Sequence, residues 1–195
     1  MSVTPDRAGR ATWTRAELES FAGRTIEDLL PDGPLRLLFV GINPGLVSAA
    51  TGLHFARRGN RFYPALRAAG LIDTDDPRVG SAQLADLGVG ITNLVARASA
   101  RADELDDAEL VEGRRRVEDL VLRRRPAVVA VAGITSYRTA FARRAAMPGR
   151  QREEFGGAAL WVVPNPSGLN AHETVASLAD AYREVAEAAG ILTPR

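Results

Sequence analysis

A chain of 195 residues, 46% apolar and 25% charged with interspersed signs, suits one globular domain that buries a core without metal or disulfide staples. It has no cysteine, only two histidines (His54 and His172), and arginine at all 25 basic positions; this excludes disulfides, thiol nucleophiles, cysteine-held metals, a multi-histidine centre and a lysine Schiff base. The formal net charge of +1 does not mark a polyanion binder, so any such contact must come from local groups such as Arg57-Arg58 with Arg61, Arg114 to Arg116, Arg123 to Arg125, or Arg143-Arg144.

Residues 1–12 are small, polar and aperiodic, as in an unstructured segment. They lack the apolar core of a secretion signal, and no apolar run reaches membrane-spanning length, so a cytoplasmic location is expected. Thr14 with Glu17 reads as a capping box that opens a helix from Arg15 to about Leu30, which Pro31-Asp32-Gly33-Pro34 ends. Residues 1–34 thus read as an extension with one helix, ahead of a main domain at 35–195.

Four apolar runs then read as strands: Leu35 to Val40, Val89 to Leu94, Ala127 to Ala132, and Leu160 to Val163. Their near-continuous apolar character fits burial on both faces of a parallel sheet. Helical stretches separate them: Phe62 to Ala69, Asp107 to Arg124, Thr135 to Ala145, and Thr174 to Gly190. The alternation predicts an α/β fold, a three-layer α/β/α sandwich with a central, mainly parallel sheet of about four strands. Ligands of such folds sit beyond the carboxyl ends of the strands, which directs attention to the loops there.

The first strand ends in Gly41-Ile42-Asn43-Pro44-Gly45, where one proline and two glycines stiffen the turn and let a ligand approach the backbone. Taken alone, Asn43 is equally a turn residue. The last strand ends in Val163-Pro164-Asn165-Pro166-Ser167-Gly168-Leu169-Asn170. Leu169 at the tip of this stiff loop is either a buried loop leucine or a wedge for a base stack. Neither a G-x-x-x-x-G-K-[ST] loop nor a strand-linked G-x-G-x-x-G is present, which leaves a nucleotide-binding module without support.

Three separated motifs, GINPG at 41–45, TGLHFARRGNRFYPAL at 51–66 and NPSGL at 165–169, resemble the mismatch-specific uracil/thymine-DNA glycosylases of the uracil-DNA glycosylase superfamily. The resemblance runs from about Leu35 to about Ala189. It implies that fold and a set of roles. Asn43 would align a water on the sugar C1′, with Ile42 beside it and Phe55 stacked on the extruded base. Asn165 would meet the deoxyribose or the water, and Ser48 lies near the position facing C5 of the pyrimidine. Gly168 and Leu169 match the wedge that enters the duplex. Asn170, His172, Arg57 and Arg58 are further candidates for DNA contact.

Asn93 stands where bacterial mismatch enzymes often carry lysine; it reads as a substrate-binding group that hydrogen-bonds toward the Asn43 network, or merely as a strand end. His54 reads as a loop or phosphate contact, Asp86 and Asp103 as surface residues, and Arg61 as a phosphate contact or, with Asn60, a residue that knits the loop to the sheet. The implied activity is a monofunctional, cofactor-free and metal-free hydrolysis of the N-glycosidic bond of uracil opposite guanine in duplex DNA, with thymine or etheno-cytosine poorer. The abasic site would be left intact by a monomer with no membrane partner. A broader uracil-DNA glycosylase acting also on A·U pairs and single strands, or a non-catalytic damage-binding module, are the alternatives.

Overall fold

The computed structural model describes residues 4–5, 11–168 and 173–194. In chain order the elements are β1 (Thr4–Pro5), β2 (Ala11–Thr12), α1 (Arg15–Glu19), β3 (Leu37–Gly41), α2 (Leu46–Thr51), α3 (Phe62–Ala69), α4 (Pro77–Asp86) and β4 (Val89–Asn93). A 3-10 turn at Ala102–Glu104 follows, then α5 (Asp107–Arg124), β5 (Val128–Ala132), α6 (Ile134–Ala140), β6 (Gly149–Phe155), β7 (Ala158–Val163) and α7 (Val175–Ala188). The central sheet has five strands in the order β4-β3-β5-β7-β6. The first four of that order run parallel, and β6 is antiparallel to β7.

Side chains alternate across a strand, and here both faces are covered. Leu37 and Phe39 of β3 join one core with Leu66 of α3 and Leu178 and Tyr182 of α7. Leu38 and Val40 join the other with Leu110, Val117 and Leu120 of α5. All five residues of each of β3, β4 and β5 are therefore buried. This is the expected three-layer α/β/α sandwich. Among the described residues, no helix is long and apolar enough to cross a membrane.

Three expectations need correction. First, the capping box exists, with the Thr14 N–H donating to the Glu17 carboxylate at 2.7 Å, but α1 ends at Glu19 instead of near Leu30. The chain beyond it lies along the free edge of β4. Leu29 and Ile91 exchange backbone hydrogen bonds of 2.9 and 2.8 Å, and Ala98 N–H donates to the Arg24 carbonyl at 2.7 Å. An uncovered edge strand leaves unpaired backbone groups, and satisfying them outweighs local helix propensity. Second, the sheet gains a fifth strand. β6 reads GRQREEF, too polar for a buried strand, because it is an edge. Its signal was the Gly156-Gly157 pair, both at positive φ, which closes a two-residue hairpin between Phe155 and Ala158. Third, α6 stops at Ala140 instead of Ala145, and Ala142 turns left-handed at φ 52°. Residues 1–12 also contain more than the sequence suggests, since β1 and β2 pair antiparallel. The helix α4 is an addition to the expected elements, and Asp76 and Pro77 give it a cap and an N1 proline.

Candidate active site

The four parallel strands place their carboxyl ends on one rim, and the loops leaving them enclose a cleft of about 730 Å³. The loop after β4 is zipped to the GINPG loop. Leu94 and Val95 N–H donate to the Gly41 and Ile42 carbonyls at 2.8 Å each, and Ser99 N–H donates to the Pro44 carbonyl at 3.2 Å. This pairing delivers Ser99 to Asn43.

Asn43 is held by its amide nitrogen. Nδ2 donates to Ser99 Oγ at 2.8 Å and to the Pro44 and Arg97 carbonyls at 3.2 Å each. Two of these partners are carbonyls, which only accept, so the NH₂ must face them. The Ser99 hydroxyl in turn donates to the Arg101 carbonyl at 2.6 Å, leaving its lone pair for Asn43. With the nitrogen thus occupied, the Asn43 carbonyl is the group left to serve the cleft that Asn43 lines. Arg97, which supplies one of these carbonyls, is itself fixed by a two-point contact to Glu109 at 2.6 and 2.7 Å. That hydrogen bond, and the Asp106 N–H, hold the Glu109 carboxyl down to about 2. Ser99 and Arg97 were not anticipated, since nothing local in the sequence ties them to Asn43.

Phe55 adopts a left-handed backbone, φ 54°, which is uncommon for an aromatic residue. Its ring stacks on Phe62 at 4.1 Å and 24°, and it also lines the cleft. Gly41 permits the close packing beside it: a Cβ there would run into Asn93 Oδ1 and come within 3.2 Å of Phe55 Cζ. Asn93 is buried. Its Nδ2 lies 3.3 Å from His54 Nδ1, and His54 Nε2 lies 3.0 Å from the Glu27 carbonyl. His54 is therefore an interior residue and not a phosphate contact, a correction that follows from its 5% exposure and its partners. Burial pushes its pKa below the usual imidazole value, against the opposing influence of the Glu27 carbonyl and Asp28.

The NPSG loop packs on the 57–60 turn. A Cβ at Gly168 would meet the Gly59 carbonyl at 2.7 Å. Arg61 acts as the tie: its N–H donates to the Pro166 carbonyl at 3.0 Å, and its guanidinium to the Ser167 carbonyl at 2.6 Å and to the Glu173 carbonyl. Asn60 Oδ1 accepts the Phe62 N–H at 2.9 Å at the start of α3. Arg61 thus ties this turn to the loop after β7 and not to the sheet, and Asn60 caps the start of α3. Asn165 Oδ1 accepts the Ser167 N–H at 3.0 Å and so shapes the loop while lining the cleft.

Of the anticipated residues, Ile42, Asn43, Ser48, Phe55, Arg57, Asn93 and Asn165 meet in this one cleft. Arg58 is exposed outside its lining, and Leu169, Asn170 and His172 lie outside the described residues. Asp103 is exposed, as expected, yet it also lines the cleft mouth, where it pairs with Arg101 at 2.5 Å. The family model described as "Uracil DNA glycosylase superfamily" matches residues 28–187.

Proposed function

The chain belongs to the uracil DNA glycosylase superfamily, a family of DNA-repair hydrolases, and from that premise we propose that it releases uracil from G·U mismatches in duplex DNA. A base within a duplex is out of reach, so it must be flipped into the cleft; a mismatched pair costs less to open. In this reading Phe55 stacks on the flipped pyrimidine, Ser48 lies toward its C5, and Leu169 fills the gap in the duplex. Arg57 and Arg58 meet the phosphates.

The Asn43 carbonyl aligns a water against C1′. The water oxygen bonds to C1′ as the C1′–N1 bond breaks, the electron pair leaves with the base, and the proton the water sheds passes to solvent, which reprotonates the released base. The sugar gains positive character and the base negative character in the transition state. Backbone N–H groups of the Ile42 and Phe55 loops are the proposed donors to the departing base. A neutral amide is an aligned acceptor and not a strong base, so turnover is slow. The chain has no lysine, so the abasic product is not cut through a lysine Schiff base.

The observation that supports this reading most is the hold on the Asn43 amide nitrogen by three acceptors, which leaves the carbonyl of this cleft-lining residue as the acceptor a water could use. Asn93, in place of the lysine of bacterial mismatch enzymes, favours a second reading, activity on A·U pairs and single-stranded uracil as well. A base-release assay on G·U, A·U, G·T, etheno-cytosine·G and single-stranded uracil, run with wild type and Asn43→Ala, tests both. The expected result is release fastest from G·U and a loss on the order of 100-fold or more in the variant. Equal rates on G·U and G·T contradict the mismatch reading, and no release from any substrate contradicts the enzyme reading.

A further inference from the structure

The loop after β4 is seated on α5 at two points, although no residue of α5 lines the cleft. Gly113 is the first. A Cβ there would overlap the Leu94 carbonyl, so only glycine lets the helix lie against that backbone. Glu109 is the second. One of its carboxylate oxygens accepts Arg97 Nε at 2.6 Å and the other accepts Arg97 Nη2 at 2.7 Å, a two-point contact that fixes direction as well as distance. The second oxygen also accepts the Asp106 N–H at 2.9 Å, which completes the capping box of α5. Arg97 Nη2 reaches on to the Glu104 carbonyl at 3.0 Å, in the 3-10 turn. The neighbouring backbone is pinned separately: Ala98 N–H donates to the Arg24 carbonyl at 2.7 Å, and Gly23 N–H donates to the Ala98 carbonyl at 2.8 Å.

We infer that Glu109 is a positioning residue for base excision: through Arg97 it fixes the backbone carbonyl that holds the Asn43 amide, so that an element outside the cleft sets the group that aligns the water. The guanidinium and the carbonyl belong to one residue. With the first tied to a long helix and the next residue tied to the segment at 23–24, the peptide between them has little freedom. Its carbonyl accepts Asn43 Nδ2 at 3.2 Å, and Ser99, two residues on, accepts it at 2.8 Å. A small shift of residues 97–99 therefore turns the Asn43 amide and takes its carbonyl with it. The ion pair is a weak device for stability, since its side chains are 38% and 29% exposed and partly exposed pairs contribute little. What it supplies is orientation.

The inference rests on the proposed uracil-excising reading, and the test separates the two. Arg97→Met removes the guanidinium and leaves the capping box whole. Glu109→Gln keeps an oxygen for the Asp106 N–H and turns an NH₂ toward the guanidinium. Each is expected to slow single-turnover release of uracil from G·U by roughly 5- to 20-fold, through misplacement of Asn43. Affinity for a duplex with 2′-fluoro-2′-deoxyuridine opposite guanine, in which the fluorine suppresses cleavage, is expected to stay near that of wild type. The double variant is expected to be no slower than either single one, because both break one contact. In an Asn43→Ala background Arg97→Met is expected to cost nothing further, since its effect passes through Asn43. Losses that multiply there assign the contact to general stability and overturn the inference. So does an unchanged rate in Arg97→Met, or weaker duplex binding at an unchanged rate, which makes Arg97 a phosphate contact instead. Proton–nitrogen NMR of the Asn43 side-chain amide, assigned by its loss in Asn43→Ala, gives a readout without activity. Its two proton shifts are expected to move toward those of a free amide in Arg97→Met and in Glu109→Gln, and unmoved shifts overturn the inference. Release of uracil from G·U by wild type is measured alongside. Its absence overturns the proposed function, and the shifts alone then decide whether Glu109 sets Asn43.

Discussion

Asn43 illustrates how much one side chain's chemistry depends on what surrounds it. Aspartate is the stronger base, yet Asn43→Asp is expected to lower base release, because one carboxylate oxygen would face the Pro44 and Arg97 carbonyls where only a donor fits. An increase in single-turnover rate for that variant would sink the orientation argument. Ser99→Ala removes one neutral hydrogen bond to Asn43, worth about 1 kcal/mol. It is expected to lower kcat by roughly 3- to 10-fold with little change in KM, since it loosens the aligned group without touching DNA. Both residues show where the sequence stops being informative. The GINPG motif singled out Asn43, but Ser99 is 56 residues away and Arg97 is 54, and no local pattern links them.

At the scale of elements, the loop that follows β7 depends on Arg61. Its guanidinium spans the carbonyl of Ser167, within the NPSGL motif, and that of Glu173, beyond it. Arg61→Lys is expected to be a poor replacement, because a single ammonium cannot reach both carbonyls in the geometry of a planar fork. A loss of about 2 kcal/mol in urea unfolding, with weaker binding to duplex DNA and an unaltered pH profile, is the expected outcome for Arg61→Ala. The same scale shows why long helices are legible in the sequence and edge strands are not. α5 carries its capping box, a periodic apolar face and a basic last turn within its own residues. β6 is defined by its place next to β7, and its own composition is polar; the Gly156-Gly157 turn was its one local mark.

The whole molecule sets two further expectations. His54 is neutral in the folded state because burial lowers its pKa below the usual value near 6.5. As pH falls below that ordinary value, the unfolded chain binds a proton that the folded chain still refuses, so stability declines until the folded pKa is passed. Urea midpoints measured between pH 7.5 and 5.5 should therefore fall, and the slope should be shallower in His54→Gln. Equal slopes would assign the acid sensitivity to other groups. In the core, the Tyr182 hydroxyl is buried with no hydrogen-bond partner among the described residues. Tyr182→Phe removes that unmet polar group while keeping the ring against Phe39 and Phe62, and a gain of about 1 kcal/mol is expected from thermal or urea unfolding.

The amino-acid sequence by itself determined the layers and which loops lie at their rim. Short apolar runs bounded by turns read as strands buried on both faces, periodic apolar stripes read as the helices that cover them, and the stiff Asn-Pro turns at the strand ends single out one rim of the sheet. Tertiary structure alone decided that residues 24–29 lie along β4 and the loop after it and not in a helix, that His54 faces inward, and which way the Asn43 and Asn93 amides point. Those outcomes depend on backbone groups distant in sequence that must find partners, and local propensity holds no information about which partners arrive.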